Sequence, residues 1–135
     1  RFFELLQHIN IVLPDTYIHV LSNGRKFAEL LYCSGFLNVN RNNLLVGIPL
    51  HSDFSGDHDK ITRIKNSFNE TMKGLYNLGR LNIPIELRIV INKMNLSACR
   101  RCPDLYIKIC HSSGMSLLWE WKPLVGPLKI KRESG

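Results

Sequence analysis

The sequence predicts an α/β fold, with parallel strands alternating with helices. Three observations carry this expectation. Apolar residues recur at helical spacing in three stretches. Three short apolar or β-favouring runs lie between and after them. The strand runs are separated by helical segments of roughly 10–20 residues, the spacing of βαβ units rather than hairpins. Three strands with two complete crossovers leave two unpaired sheet edges. The expected architecture is therefore a fragment of a barrel or doubly wound sheet, followed by an irregular C-terminal tail.

The elements follow in order. "RFFELLQHIN" places Phe2, Leu5, Leu6 and Ile9 on one helical face, and Pro14-Asp15 breaks it. "TYIHVL" reads as a short buried strand, ended by a turn at Asn23-Gly24. "RKFAELLYCSG" returns to helical spacing through Phe27, Leu30 and Leu31, with Ser34-Gly35 as its C-cap. "LLVGIPL", Leu44 to Leu50, is a near-continuous apolar run, as expected when both faces of a parallel sheet are covered. "HSDFSGDHD" is a polar segment past its end. A single helix is expected through "ITRIKNSFNETMKGLYNL", with Ile61, Ile64, Phe68, Met72, Leu75 and Leu78 in register. "IPIELRIVI", Ile83 to Ile91, is the third strand, with Pro84 tolerated near its start. Each crossover is expected to be right-handed.

Residues 1–95 carry 11 Lys and Arg against 8 Asp and Glu, while residues 96–135 carry 7 against 3. The basic excess of +7 is thus concentrated in the tail. The first part has no basic stripe interleaved with aromatics, which argues against nucleic acid as a partner. No apolar run is long enough to span a bilayer, so no membrane is expected. Four cysteines without a secretory signal suggest a reducing, cytoplasmic setting rather than a disulfide framework. The chain opens Arg1-Phe2-Phe3-Glu4, with neither an initiator Met nor a signal pattern, and the expectation is a processed chain or one that starts mid-protein.

In parallel α/β sheets, ligands meet the C-terminal ends of the strands. Three clusters fall there: Ser22-Asn23-Gly24, then His51-Ser52-Asp53 with Asp57-His58-Asp59, then Arg88 with Asn92. Asn-Gly is ordinarily a turn. "GDHDK" before a helix reads as an N-cap, and for His58 and Asp59 this structural role is preferred. Arg88 interrupts an apolar strand and requires an anionic partner. Glu86 is expected to serve only if the strand bends, and a bound carboxylate or phosphate is the alternative. No Gly-rich phosphate loop and no nucleophile elbow occur, and no catalytic triad is assigned.

"LSNGR", "GIPLHSD…HD", "SFNETMKGLYNL" and "IELRIVI", in this order and spacing, resemble the middle of radical SAM enzymes. The likeness is closest to the C-type maturases of the His-Xaa-Ser system and covers Arg1 to about Asn95. It implies a central piece of a partial (β/α) barrel of the radical SAM type. It further implies an enzyme family that uses S-adenosylmethionine and a [4Fe–4S] cluster held by a CxxxCxxC loop to modify a peptide. A peptide of the His-Xaa-Ser system and a partner maturase are the implied partners of the full-length protein. By the resemblance, Asn23 follows the third barrel strand, His51, Ser52 and Asp53 follow the fourth, and Arg88 lies on the fifth. These five are the expected cofactor-binding residues. Relatives carry Ser-x-Asp-Gly at the end of the fourth strand, whereas Pro49-Leu50-His51-Ser52 stands here. The cluster loop would lie upstream of Arg1, so no metal ligand is assigned, the isolated chain is expected to be inactive, and neither cofactor is expected on it.

The tail, residues 96–135, holds no sustained period. Cys99, Cys102, Cys110 and His111 could form a zinc site in a small α/β binding domain. However, one CxxC half with an adjacent Cys-His pair is a poor tetrahedral set. Codons compatible with "LYIKICHSSGMSLLWEWKPLVG", read one base out of register, allow "IYKNLPFVRHVALMGMEATG", a family-like helix end and strand. The expectation is a tail translated out of frame from about Leu96.

Overall fold

A computed structural model describes residues 1–40, 42–89 and 93–95. Cys99, Cys102, Cys110, His111 and the rest of the tail lie outside the described residues, as does Asn92. The described elements are α1 (Phe2–Val12), β1 (Ile18–Leu21), α2 (Leu30–Cys33), β2 (Leu44–Pro49), α3 (Ser55–Thr62), α4 (Ser67–Arg80) and β3 (Ile85–Arg88). Tight 3₁₀ turns at Arg25–Ala28 and Ser34–Asn38 flank α2. The strands form one open parallel sheet in the order β1-β2-β3. Val20 stands opposite Val46, and Val46 opposite Ile85. The α/β class expected from the alternation is the one observed. Among the described residues no helix is long and apolar enough to cross a membrane.

Side chains alternate across a strand, and the sheet uses its two faces differently. Leu44, Val46 and Ile48 of β2 are buried with Phe27, Phe36, Leu75, Leu78, Ile83 and Ile85 in one core. α4 presents Leu75 and Leu78 to that core. The opposite parity (His19, Leu21, Leu45, Gly47, Pro49, Glu86 and Arg88) points away from it. Continuous apolarity in β2 implied cover on both faces, yet only one face is packed by the described helices. β1 shows the same asymmetry. Ile18 and Val20 are half-buried, while His19 and Leu21 are exposed, so it is not the wholly buried strand its composition suggests.

Three further departures have local causes. The expected helix from Ile61 to Leu78 is two helices. Arg63 and Asn66 adopt left-handed φ values of 59° and 67°, which end α3 and begin α4. The polar segment before Ile61 supplies most of α3. α1 is rotated from its expected face: Leu5 is 56% exposed, whereas Leu6 is buried. The reason is aromatic packing, with Phe3 edge-on to Phe36 at 4.9 Å and tilted against Tyr32 at 5.1 Å.

α4 is fastened to the segment after β1 along one stripe. Thr71 Oγ1 donates to the Asn23 carbonyl at 3.2 Å, and Asn77 Nδ2 donates to the Phe27 and Ala28 carbonyls at 2.9 and 3.1 Å. Gly74 lies between these two residues, and a Cβ there would collide with the Gly24 carbonyl. Glycine inside a helix costs about 1 kcal/mol relative to alanine, which close backbone approach offsets here. This seam fixes where the C-terminal end of β1 meets the rest of the molecule.

Candidate functional site

The turn after β1 is built from its own side chains. Ser22 Oγ accepts from the Gly24 N–H and Asn23 Oδ1 from the Arg25 N–H, both at 3.2 Å. Gly24 takes the left-handed conformation, φ 78°, that its Asn-Gly sequence predicts. Arg25 is ion-paired with Glu70 of α4.

After β2 the chain turns sharply. The His51 N–H donates to His58 Nδ1 at 3.3 Å, and Asn95 Nδ2 donates to the His51 carbonyl at 2.8 Å. Ser52 is fully buried and its Oγ accepts from the Phe54 N–H at 3.1 Å, closing the turn. Asp53 is half-buried beside it. Asn23 and His51 thus come to one cleft of about 250 Å³, lined also by Arg25, His58, Ser67 and Thr71.

The two imidazoles give the cleft its character. Their ring centroids lie 5.4 Å apart. His58 packs edge-on to Phe68 at 5.6 Å. Burial, reinforced by His51 and opposed by Asp59, pushes its pKa down to about 4. Burial lowers His51 as well. Because His58 Nδ1 accepts a backbone hydrogen bond, it is the unprotonated nitrogen of a neutral ring. His51 Nδ1 is enclosed without a hydrogen-bond partner among the described residues. A buried polar atom of this kind is costly unless something satisfies it. Apart from Arg25, which is ion-paired with Glu70, the cleft therefore offers uncharged donors and acceptors, suited to hydroxyl or amide groups. Among the described residues no group of three or more His, Cys, Asp or Glu could hold a metal ion.

Asp59 is a cap, as its position suggested, but of the following helix. Its Oδ1 accepts from the Phe68 N–H at 2.8 Å and from Ser67 Oγ at 2.9 Å, and its Oδ2 accepts from the Asn66 N–H at 2.5 Å. The Phe68 bond is the main reason its carboxyl titrates below the ordinary range. This clamp folds α4 back on α3 and accounts for the break at Arg63–Asn66.

Arg88 is elsewhere. It does not line the Asn23–His51 cleft, and it stands on the open face with His19 and Glu86. Glu86 Oε2 lies 2.9 Å from His19 Nε2 and 3.6 Å from Arg88 Nε. The expectation that Glu86 reaches Arg88 only through a bend is wrong. The residues are two apart, and the period of a straight strand is two. Arg88 is also not a buried guanidinium, since its side chain is 37% exposed. The sequence reading missed His19 and admitted Glu86 only through a bend; the signal available was the shared parity of Glu86 and Arg88.

Compared with models of known protein families, the chain matches none, and no curated protein matches it significantly.

Proposed function

We propose that residues 1–95 are the central part of a radical SAM-type (β/α) barrel, from an enzyme that modifies a peptide of the His-Xaa-Ser kind. The observation that carries this is the sequential parallel order β1-β2-β3 with Asn23 and His51 gathered at the C-terminal ends of β1 and β2. Sequential order with helical crossovers is the winding a barrel requires, and its ligands bind at that end. The motif order from "LSNGR" to "IELRIVI" adds the family. The enclosed, unpartnered His51 Nδ1 fits a ligand rich in hydroxyl groups, such as the ribose of S-adenosylmethionine. Asn23 and His51 would hold that end of the cofactor. Ser52 would fix the turn from below, Asp53 would stand at its edge, and Arg88 would face the substrate side. A cleft of about 250 Å³ takes part of such a cofactor rather than all of it. The described residues do not fit a [4Fe–4S] cluster, whose three thiolates this assignment puts upstream of Arg1. When bound, the cofactor supplies a carbon radical for hydrogen abstraction; the residues here position and shield it.

The coding sequence upstream of Arg1 tests the assignment. An in-frame CxxxCxxC is expected, and the full-length product should take up iron and sulfide in proportion to those cysteines. An upstream frame without that loop overturns it.

A further inference from the structure

We propose that the open face of the sheet carries a second site, for the carboxylate of an organic ligand, formed by Arg88 and His19 over Gly47 and held in shape by Glu86. β1 and β3 are not neighbours; β2 lies between them. Strands in a sheet are about 4.8 Å apart, so a side chain on β2 would ordinarily separate theirs. Gly47 removes it. A Cβ at that position would lie 3.0 Å from His19 Nε2, 3.1 Å from Glu86 Oε2 and 2.8 Å from Leu21 Cδ2. A glycine inside a strand weakens it and often marks a close approach. Here it lets three charged or polar side chains from two outer strands converge.

The convergence leaves binding capacity unused. Glu86 Oε2 is enclosed and makes no hydrogen bond, although it lies 2.9 Å from His19 Nε2 and 3.6 Å from Arg88 Nε. Among the described residues the charged partner of Arg88 is Glu86, whose Oε2 lies 3.6 Å from Nε. The terminal guanidinium nitrogens form the planar fork that matches a carboxylate. Glu86 Oε2, near Arg88 Nε, restrains the guanidinium, and His19 stands against the same oxygen. Arg88 and Glu86 together carry no net charge, so a singly charged anion suits the cluster better than a phosphate dianion. Leu21, 62% exposed, stands beside the notch, with Leu45 opposite His19 at the same parity. This apolar rim suits a carboxylate on a carbon chain rather than an inorganic ion. Only contacts within the three strands are used, so failure of the barrel assignment leaves this site standing.

The test is an NMR titration of the isotope-labelled 135-residue chain with three probes: N-acetyl-glutamate amide, its glutamine counterpart, and propionate. Saturable shifts of the Arg88 Nε–H and His19 ring signals are expected with the glutamate probe and not with glutamine. Equal response to propionate identifies a free acid as the natural ligand type. Response to blocked glutamate alone identifies an acidic peptide side chain. Arg88→Gln should weaken binding at least tenfold with the amide spectrum of the core unchanged, and Gly47→Ala should do the same by parting His19 from Glu86. If Gly47→Ala disturbs the fold, Arg88→Gln alone decides. Absence of shifts at tens of millimolar glutamate probe, or equal shifts with glutamine, overturns the site.

Discussion

The two faces of the same three-stranded sheet differ in what they do. On the helix-covered face, Val46, Ile48 and Ile85 join a core with Phe27, Phe36, Leu75 and Leu78, and hydrophobic burial supplies the stability. On the open face, alternate residues of the same strands hold His19, Glu86 and Arg88 around Gly47. Neighbouring residues in one strand thus serve stability and recognition in turn. A substitution should therefore be costly or cheap to folding according to its parity, and this contrast can be broken by measurement.

The largest effect is expected at Phe36, fully buried among Phe2, Phe3 and Phe27. Phe36→Ala should lower the unfolding free energy by about 3–5 kcal/mol in urea titration. A loss below about 1 kcal/mol would mean that this face is not the core. Next comes acid. The folded pKa of His58 is about 4 against an ordinary 6.5. The unfolded chain therefore binds the extra proton between these values. The contribution of the neutral ring is complete above about pH 6.5 and is lost as pH falls toward 4, on the order of 3 kcal/mol in all. His51, lowered by burial, acts in the same direction. NMR titration of His58 checks this directly, and an inflection near 6.5 would sink it.

Asp59→Ala should lower the urea midpoint by less than Phe36→Ala, because α4 loses the carboxylate that accepts from Asn66, Ser67 and Phe68. The folded pKa of Asp59 is depressed, so its contribution is present above the unfolded value and lost as pH falls through the folded one. The gap between wild type and Asp59→Ala should close in strong acid. A gap that stays constant with pH would show that the charge is not what caps the helix. The smallest effect is expected on the open face. Leu21→Ala should change stability by no more than about 0.5 kcal/mol, and a larger loss would erase the contrast between faces.

The core of the fold was legible because its signals are periodic and local. The apolar run at Leu44 to Leu50 marked β2, and Leu75 and Leu78 marked the buried face of α4. The Asn23-Gly24 turn followed from its dipeptide. The break between α3 and α4 was not legible, since apolar spacing continues across it from Ile61 to Phe68. The bend comes from Asp59 reaching Asn66 and Phe68, a contact that periodicity does not encode. The candidate site was half legible. Asn23 and His51 were placed at strand ends and do share a cleft. Arg88 was grouped with them by the same rule and does end β3, opposite Pro49, yet it does not line that cleft, because its parity turns it to the open face.

By itself the sequence determined the α/β class, the three strands and the polar character of their C-terminal ends, since hydrophobic period and turn chemistry act over a few residues. Only the tertiary structure decided which face of the sheet is covered, that His51 and His58 are held uncharged by burial, and that His19 and Glu86 meet across β2. These depend on contacts between residues distant in the chain. In the last case, the decisive feature is the missing side chain of Gly47 in the strand between them.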